Sequence, residues 1–161
     1  MQIAFLADYP HFVEPLARYH IDEWSRLLPW WHYDDALAEL EDHASRKSIP
    51  TTLLALDNDR LLGSASLVEE DLPKAELPAV ASLSPWLASV FVVPEARGRG
   101  IGRALVERAV MQAAVLGIET LYLFTAGQET FYRQLRWSVW EQVLYHEREG
   151  TIMYRQLTID D

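Results

Sequence analysis

The stretch Val90-Phe91-Val92-Val93-Pro94-Glu95-Ala96-Arg97-Gly98-Arg99-Gly100-Ile101-Gly102-Arg103-Ala104-Leu105-Val106 decides how the 161-residue chain is read. Trp86 to Val93 is a continuous apolar run suited to a central strand, and Pro94 to Ala96 breaks it. Arg97 to Gly102 then leads into a helix through Leu116, with Leu105, Val106, Ala109, Ala113 and Leu116 as its apolar stripe. Gly117 is placed to stop that helix, and Glu119 to Thr125 makes the next strand. The unpaired N–H groups of a helix's first turn favour negative charge, and glycines let a phosphate approach that backbone. Arg97, Arg99 and Arg103 form the densest basic cluster in the chain. Read bare, the loop is equally a tight turn that starts a helix. It lacks the Gly-Lys-Ser/Thr of a Walker loop and the G-x-G-x-x-G spacing of the dinucleotide fingerprint.

That local basicity runs against the global balance. Fourteen Lys and Arg against 24 Asp and Glu give a net charge of −10, which disfavours nucleic acid or an anionic membrane surface as partner. Half of the residues are apolar, enough for the core of one domain, taken as residues 1–161. There is no cysteine, so disulfides, thiolate nucleophiles and cysteine zinc sites are excluded. His11, His32, His43 and His146 show no metal-ligand spacing, and no metal is expected. The N-terminus has no basic region followed by a long apolar run, and a cytoplasmic location is the default expectation.

Outward from the loop, Gln2 to Ala7 reads as a first strand, and about His11 to Leu28 as a helix ended by Pro29. On that helix Phe12, Leu16, Tyr19, Glu23 and Leu27 share one face, which puts the Glu23 carboxylate on an apolar side. Trp30-Trp31-His32-Tyr33 is an aromatic link, and Asp34-Asp35 can cap a second helix through about Arg46. Ile49 to Leu56 and Leu61 to Val68 read as a hairpin turned by Asp57-Asn58-Asp59. Glu69 to Ser84, rich in acids and proline, reads as an exposed loop or a broken strand. A short helix, about Gln128 to Leu135, and strands at about Ser138 to Tyr145 and Thr151 to Leu157 complete the chain. The order predicts a mixed sheet flanked by helices, of mixed α/β class.

The quoted stretch closely resembles the acetyl-CoA motif of the GCN5-related N-acetyltransferase (GNAT) superfamily, Gln/Arg-x-x-Gly-x-Gly/Ala after a strand, with Arg97, Gly100 and Gly102 at its fixed positions. Glu129 to Trp137, with Phe131-Tyr132 and Leu135, resembles the family's second landmark, Phe-Tyr-x-x-Leu-Gly-Phe/Tyr, except that Arg136 stands where the glycine would be. The resemblance implies a mostly antiparallel sheet of about six or seven strands, splayed between strands 4 and 5 and flanked by about four helices. It implies that acetyl-CoA pairs with the backbone of Val90, Phe91 and Val92, rests its pyrophosphate on Gly98, Arg99, Gly100, Ile101, Gly102 and Arg103 after Arg97, and is contacted near Thr125 and Gln128. An amine would then attack the thioester directly, in keeping with a chain that has no cysteine.

Tyr132 holds the position of the family's general acid. A phenol of ordinary pKa about 10 stays protonated at neutral pH and can donate to a thiolate whose thiol titrates near 8.5. Its alternative role is a core tyrosine that ties the short helix to the sheet. For the proton acceptor, Glu23 with Trp24 beside it is the side-chain candidate, because burial would raise its pKa. Water held by backbone, or a purely structural Glu23 paired with an arginine, are the other readings. Trp30, Trp31 and Tyr33, with Glu23 and Trp24, are the expected acceptor-binding residues, since aromatic faces stack on cationic amines. The activity implied is acetyl transfer to a primary amine of a small molecule or peptide, the alternative being a non-catalytic acyl-CoA-binding module. The resemblance also allows a homodimer.

Overall fold

A computed structural model describes residues 1–73 and 75–157. Its strands form one seven-stranded sheet among the described residues: β1 (Gln2–Phe5), β2 (Thr51–Asp57), β3 (Arg60–Val68), β4 (Trp86–Val92), β5 (Thr120–Thr125), β6 (Ser138–Tyr145) and β7 (Arg148–Gln156). The order is β1-β2-β3-β4-β5-β7-β6, with β4 and β5 parallel and β1/β2, β5/β7 and β6/β7 antiparallel. Four α-helices stand among them: α1 (Val13–Trp24), α2 (Tyr33–His43), α3 (Ile101–Val115) and α4 (Glu129–Gln134). The mixed, mostly antiparallel architecture read from the sequence is the one observed. The described residues pack as two compact units, Met1–Ser66 with Ser89–Arg108, and those of Leu67–Ala88 with those from Ala109 to Leu157, so the boundary falls inside β4.

In the first unit α1 is shorter than its apolar pattern suggested. Pro10 to Phe12 forms a separate 3-10 turn, and the helix stops at Trp24, with Ser25 as its cap. Its buried side is Val13, Leu16, Ala17 and His20. That stripe is rotated from the expected one, and at about 100° per residue Glu23 falls roughly 70° from its centre. Helix α2 is capped by a reciprocal pair at its start, in which the Asp35 carboxylate accepts the His32 N–H at 2.9 Å. Two polar contacts sit beneath these helices: His20 Nε2 with Ser64 Oγ at 3.1 Å, and His43 Nδ1 with Thr52 Oγ1 at 3.0 Å. Thr52 in turn meets Ser66 Oγ at 2.8 Å, so these buried hydroxyls and rings satisfy one another. Burial holds His20 far below the ordinary imidazole range, at about 3, with His43 adding to the effect, and burial likewise lowers His43.

In the second unit β5 alternates, burying Leu121 and Leu123 on one face and half-burying Tyr122 and Phe124 on the other. The segment from Glu69 to Ser84 is the largely exposed loop that its acids and prolines suggested, but it also buries three apolar side chains. Leu72, Val80 and Leu83 pack with Trp86 and Ile152 into a buried cluster, and the Trp86 indole N–H donates to the Leu83 carbonyl at 2.9 Å. Strand β7 begins at Arg148, earlier than Thr151, because His146 and Glu147 make a two-residue turn with φ of 50° and 64° between Tyr145 and Arg148. Such turns ordinarily advertise themselves through Asn and Gly, and this one does not.

Candidate active site

The end of β4 turns into α3 through a loop fixed by short local bonds. Val93 N–H donates to Leu62 O at 2.8 Å and Ala96 N–H to Val93 O at 2.9 Å. Gly98 and Gly100 both have φ of 80°, a conformation that other L-residues adopt at a cost, and a Cβ at either would meet nothing within 4 Å. These glycines are therefore required by backbone shape and not by crowding. The loop is exposed from Arg97 to Gly100. The helical ladder opens with Ala104 N–H donating to Gly100 O at 3.1 Å, so the amides of Ile101, Gly102 and Arg103 precede it and carry the positive end of the α3 dipole.

The three arginines of the loop differ in what they hold. Arg97 donates through Nε to the Val92 carbonyl at 2.8 Å, through Nη2 to Glu23 Oε1 at 2.9 Å, and lies over the Phe91 ring at 5.8 Å. Arg99 reaches the Glu95 carbonyl at 3.3 Å, and Arg103 pairs loosely with Glu107 at 3.5 Å. The last pair is exposed, and pairs of that kind are weak enough to exchange partners readily.

Glu23 corrects the expectation placed on it. It is an exposed carboxylate whose side chain retains 36% of its accessible surface and is paired to Arg97, so it is not the buried acid of an apolar face. Trp24 packs against His20 at 4.8 Å and Phe91 at 6.1 Å between ring centres. The aromatic link is split among tasks. Trp30 is 48% exposed, the Trp31 indole N–H donates to Glu39 at 3.2 Å, and Tyr33 opens α2 with the Arg18 guanidinium 5.2 Å over its ring. Sequence reasoning missed the Phe91 side chain as a hub; it touches Tyr19, His20, Trp24 and Arg97, and only its backbone had drawn notice. It also missed Ser89, whose φ of 54° within β4 marks a strained residue just before Val90. A serine carries no local signal for that conformation.

Tyr132 lies on α4, whose start is set by Thr125 Oγ1 accepting the Gln128 N–H at 3.2 Å, followed by Tyr132 N–H donating to Gln128 O at 3.2 Å. Thr125 and Gln128 thus shape the helix that carries the tyrosine. The ring is 8% exposed, edge-on to Phe131 at 4.9 Å and Trp137 at 6.1 Å. Burial, with the Asp71 carboxylate second, pushes its hydroxyl up to about 12. Arg136 adopts φ of 73°, so it keeps the left-handed backbone for which a glycine is the ordinary choice. Among the described residues no cluster of three or more His, Asp or Glu is arranged to hold a metal ion. Nor, among them, is any helix long and apolar enough to cross a membrane.

In the first unit a strand runs through a glycine turn into the start of a helix, and in the second a buried tyrosine sits on a short helix. The model of the acetyltransferase (GNAT) family matches residues 13–135, and the chain belongs to that family. Among solved structures, it is similar to an aminoglycoside 6′-acetyltransferase type Ii, with 19% identity, a TM-score of 0.75 and both chains covered in full. An aminoglycoside 6′-N-acetyltransferase complexed with coenzyme A shows 16% identity and a TM-score of 0.70 over 100% of this chain and 99% of the other. A ribosomal-protein-alanine N-acetyltransferase from Brucella melitensis shows 19% identity and a TM-score of 0.73 over 98% and 100%. No curated protein matches the sequence.

Proposed function

We propose that residues 1–161 act as one N-acetyltransferase domain that moves an acetyl group from acetyl-CoA to a primary amine without a covalent acyl-enzyme. The observation that carries this reading is the loop: two glycines in the left-handed conformation leave its backbone open beside the first-turn amides of α3, which precede its helical ladder. That donor set, neutral N–H groups at a helix start with Arg99 and Arg103 near by, fits a pyrophosphate. Val90 and Phe91 would offer backbone groups to the amide-bearing arm, whereas the Val92 carbonyl is already engaged by Arg97. Bound acetyl-CoA would supply an activated acetyl thioester.

Tyr132 would aim its hydroxyl at the departing thiolate. With its pKa near 12 it is fully protonated at neutral pH, but it is a weaker acid than a thiol near 8.5. It would therefore stabilise the developing sulfur charge first as a hydrogen-bond donor, the transferred proton being replaced from solvent. The ammonium proton would go to water held by backbone, because Glu23 is committed to Arg97. Trp30, Trp31 and Tyr33 are proposed to face the amine, and the acidic chain favours a cationic one. Solved relatives named for aminoglycosides and for a protein alanine make small polyamines and peptide N-termini the first acceptors to try.

The test is thiol release from acetyl-CoA with a panel of spermidine, kanamycin and Ala-initiated peptides. Tyr132→Phe should lower turnover on the best acceptor by about 100-fold while CoA affinity stays within about twofold. Unchanged turnover removes Tyr132 from the reaction. Because the hydroxyl titrates so high, turnover should show no alkaline loss traceable to Tyr132 up to about pH 10.

A further inference from the structure

The ion pair between Glu23 and Arg97 joins residues 74 positions apart, and nothing in the proposed chemistry uses it. Arg97 has its guanidinium edge on the Val92 carbonyl at 2.8 Å, its face toward Phe91 at 5.8 Å and its far nitrogen on Glu23 at 2.9 Å. A planar fork committed on each side has one orientation. The backbone of this arginine opens the turn that runs into Gly98, so fixing the side chain fixes the entry to the loop. The second partner sits on the last turn of α1, the helix whose Trp24 packs on the same Phe91 ring.

We propose that Glu23 is a positioning residue that acts through Arg97: it holds Arg97 as a strut between α1, β4 and the glycine loop, and so keeps the loop in the shape that receives phosphate. Phosphate contact falls to the loop amides and to Arg99 and Arg103. The inference rests on the loop being the CoA site. It assigns Glu23 a role opposite to that of a proton acceptor, and the two roles separate cleanly. A strut alters cofactor affinity; a proton acceptor alters turnover and its pH profile.

The experiment is calorimetric titration with CoA of the intact chain and of Glu23→Gln, Arg97→Gln and the double variant, at low and high salt, with a melting curve for each. The strut predicts that each single variant weakens CoA binding by about two- to fivefold and that the double variant is no weaker than the worse single one. Glu23→Asp should recover part of the loss, and the difference between wild type and Glu23→Gln should shrink in high salt. Tighter binding by Glu23→Gln would overturn the proposal, because it would mean that Arg97 is released to the phosphate. So would a loss in Arg97→Gln far exceeding that in Glu23→Gln, or additive losses, or CoA affinity in Glu23→Gln equal to that of wild type at low salt. Failure of the unaltered chain to bind CoA overturns the CoA site itself and this inference with it, whereas normal wild-type binding with indifferent variants overturns the strut alone.

Discussion

Arg136 shows that a left-handed backbone angle need not be held by glycine. With φ of 73° it ends α4 in the left-handed region, which disfavours any residue bearing a Cβ by about 1–2 kcal/mol. Arg136→Gly removes that cost but adds unfolded-state entropy, and the net should be a gain of about 0.5–1 kcal/mol, seen as a melting temperature higher by about 2–4 °C. A lower melting temperature would mean that the Arg136 side chain contributes more than its backbone strain costs. The residues of the loop were legible in the sequence because glycine is informative about conformation: Gly98 and Gly100 stand at φ of 80° where the pattern put a turn. Ser89, His146 and Glu147 adopt the same region with nothing in their chemistry to announce it. For Glu23 the sequence left open a buried proton acceptor or a partner of some arginine, and the pairing with Arg97 is of the second kind, though which arginine was not legible. Its partner is remote in sequence, and helical periodicity shows which side a residue is on but not what waits there.

Among the strands, Gly63 on β3 marks a close approach and not a special angle. A Cβ there would press on the Phe91 carbonyl oxygen and come within 3.1 Å of the Leu105 side chain, so β3, β4 and α3 lie tightly together at that point. Gly63→Ala should destabilise the protein by about 1–3 kcal/mol, measured by urea unfolding, because the nearest obstacle is backbone that cannot rotate away. An unchanged midpoint would show that the strands can separate freely. The order of elements was readable from alternation and from proline and glycine punctuation, and β2 to α4 fall within a few residues of where the pattern put them. The segment from Glu69 to Ser84 was not readable in the same way. Its acids and prolines describe a loop correctly, but the burial of Leu72, Val80 and Leu83 against Trp86 depends on a distant strand. Composition reports solvent preference on average and cannot locate three apolar side chains that find a shared pocket.

Across the chain as a folded unit, two buried histidines set a pH dependence. His20 is held neutral down to about 3, and burial lowers His43 as well, so both bind a proton more weakly folded than unfolded. Their contribution is present above the unfolded pKa of about 6.5 and is lost as pH falls below it, with each uncharged histidine lowering stability by about 1.4 kcal/mol per pH unit. Unfolding free energy should therefore drop by about 1.5–2 kcal/mol between pH 6.5 and 5 through His20, with His43 adding to the fall, in a window above the usual carboxylate range. His20→Gln should make that slope shallower. A flat profile over the window would show that water reaches these rings. The network that binds them, His20 with Ser64 and His43 with Thr52 and Ser66, spans helix and strand and so ties acid sensitivity to the same packing that seats α1.

Every role proposed for the site depends on the loop from Gly98 to Arg103 receiving the phosphates of a coenzyme. Calorimetric titration of the unaltered chain with acetyl-CoA, then with CoA, tests this without any knowledge of the acceptor. Binding at about micromolar strength is predicted for both, together with its loss in Gly100→Glu, where bulk, a disfavoured φ of 80° and negative charge would all enter the loop. No heat of binding from the unaltered chain, or undiminished binding by Gly100→Glu, would contradict it.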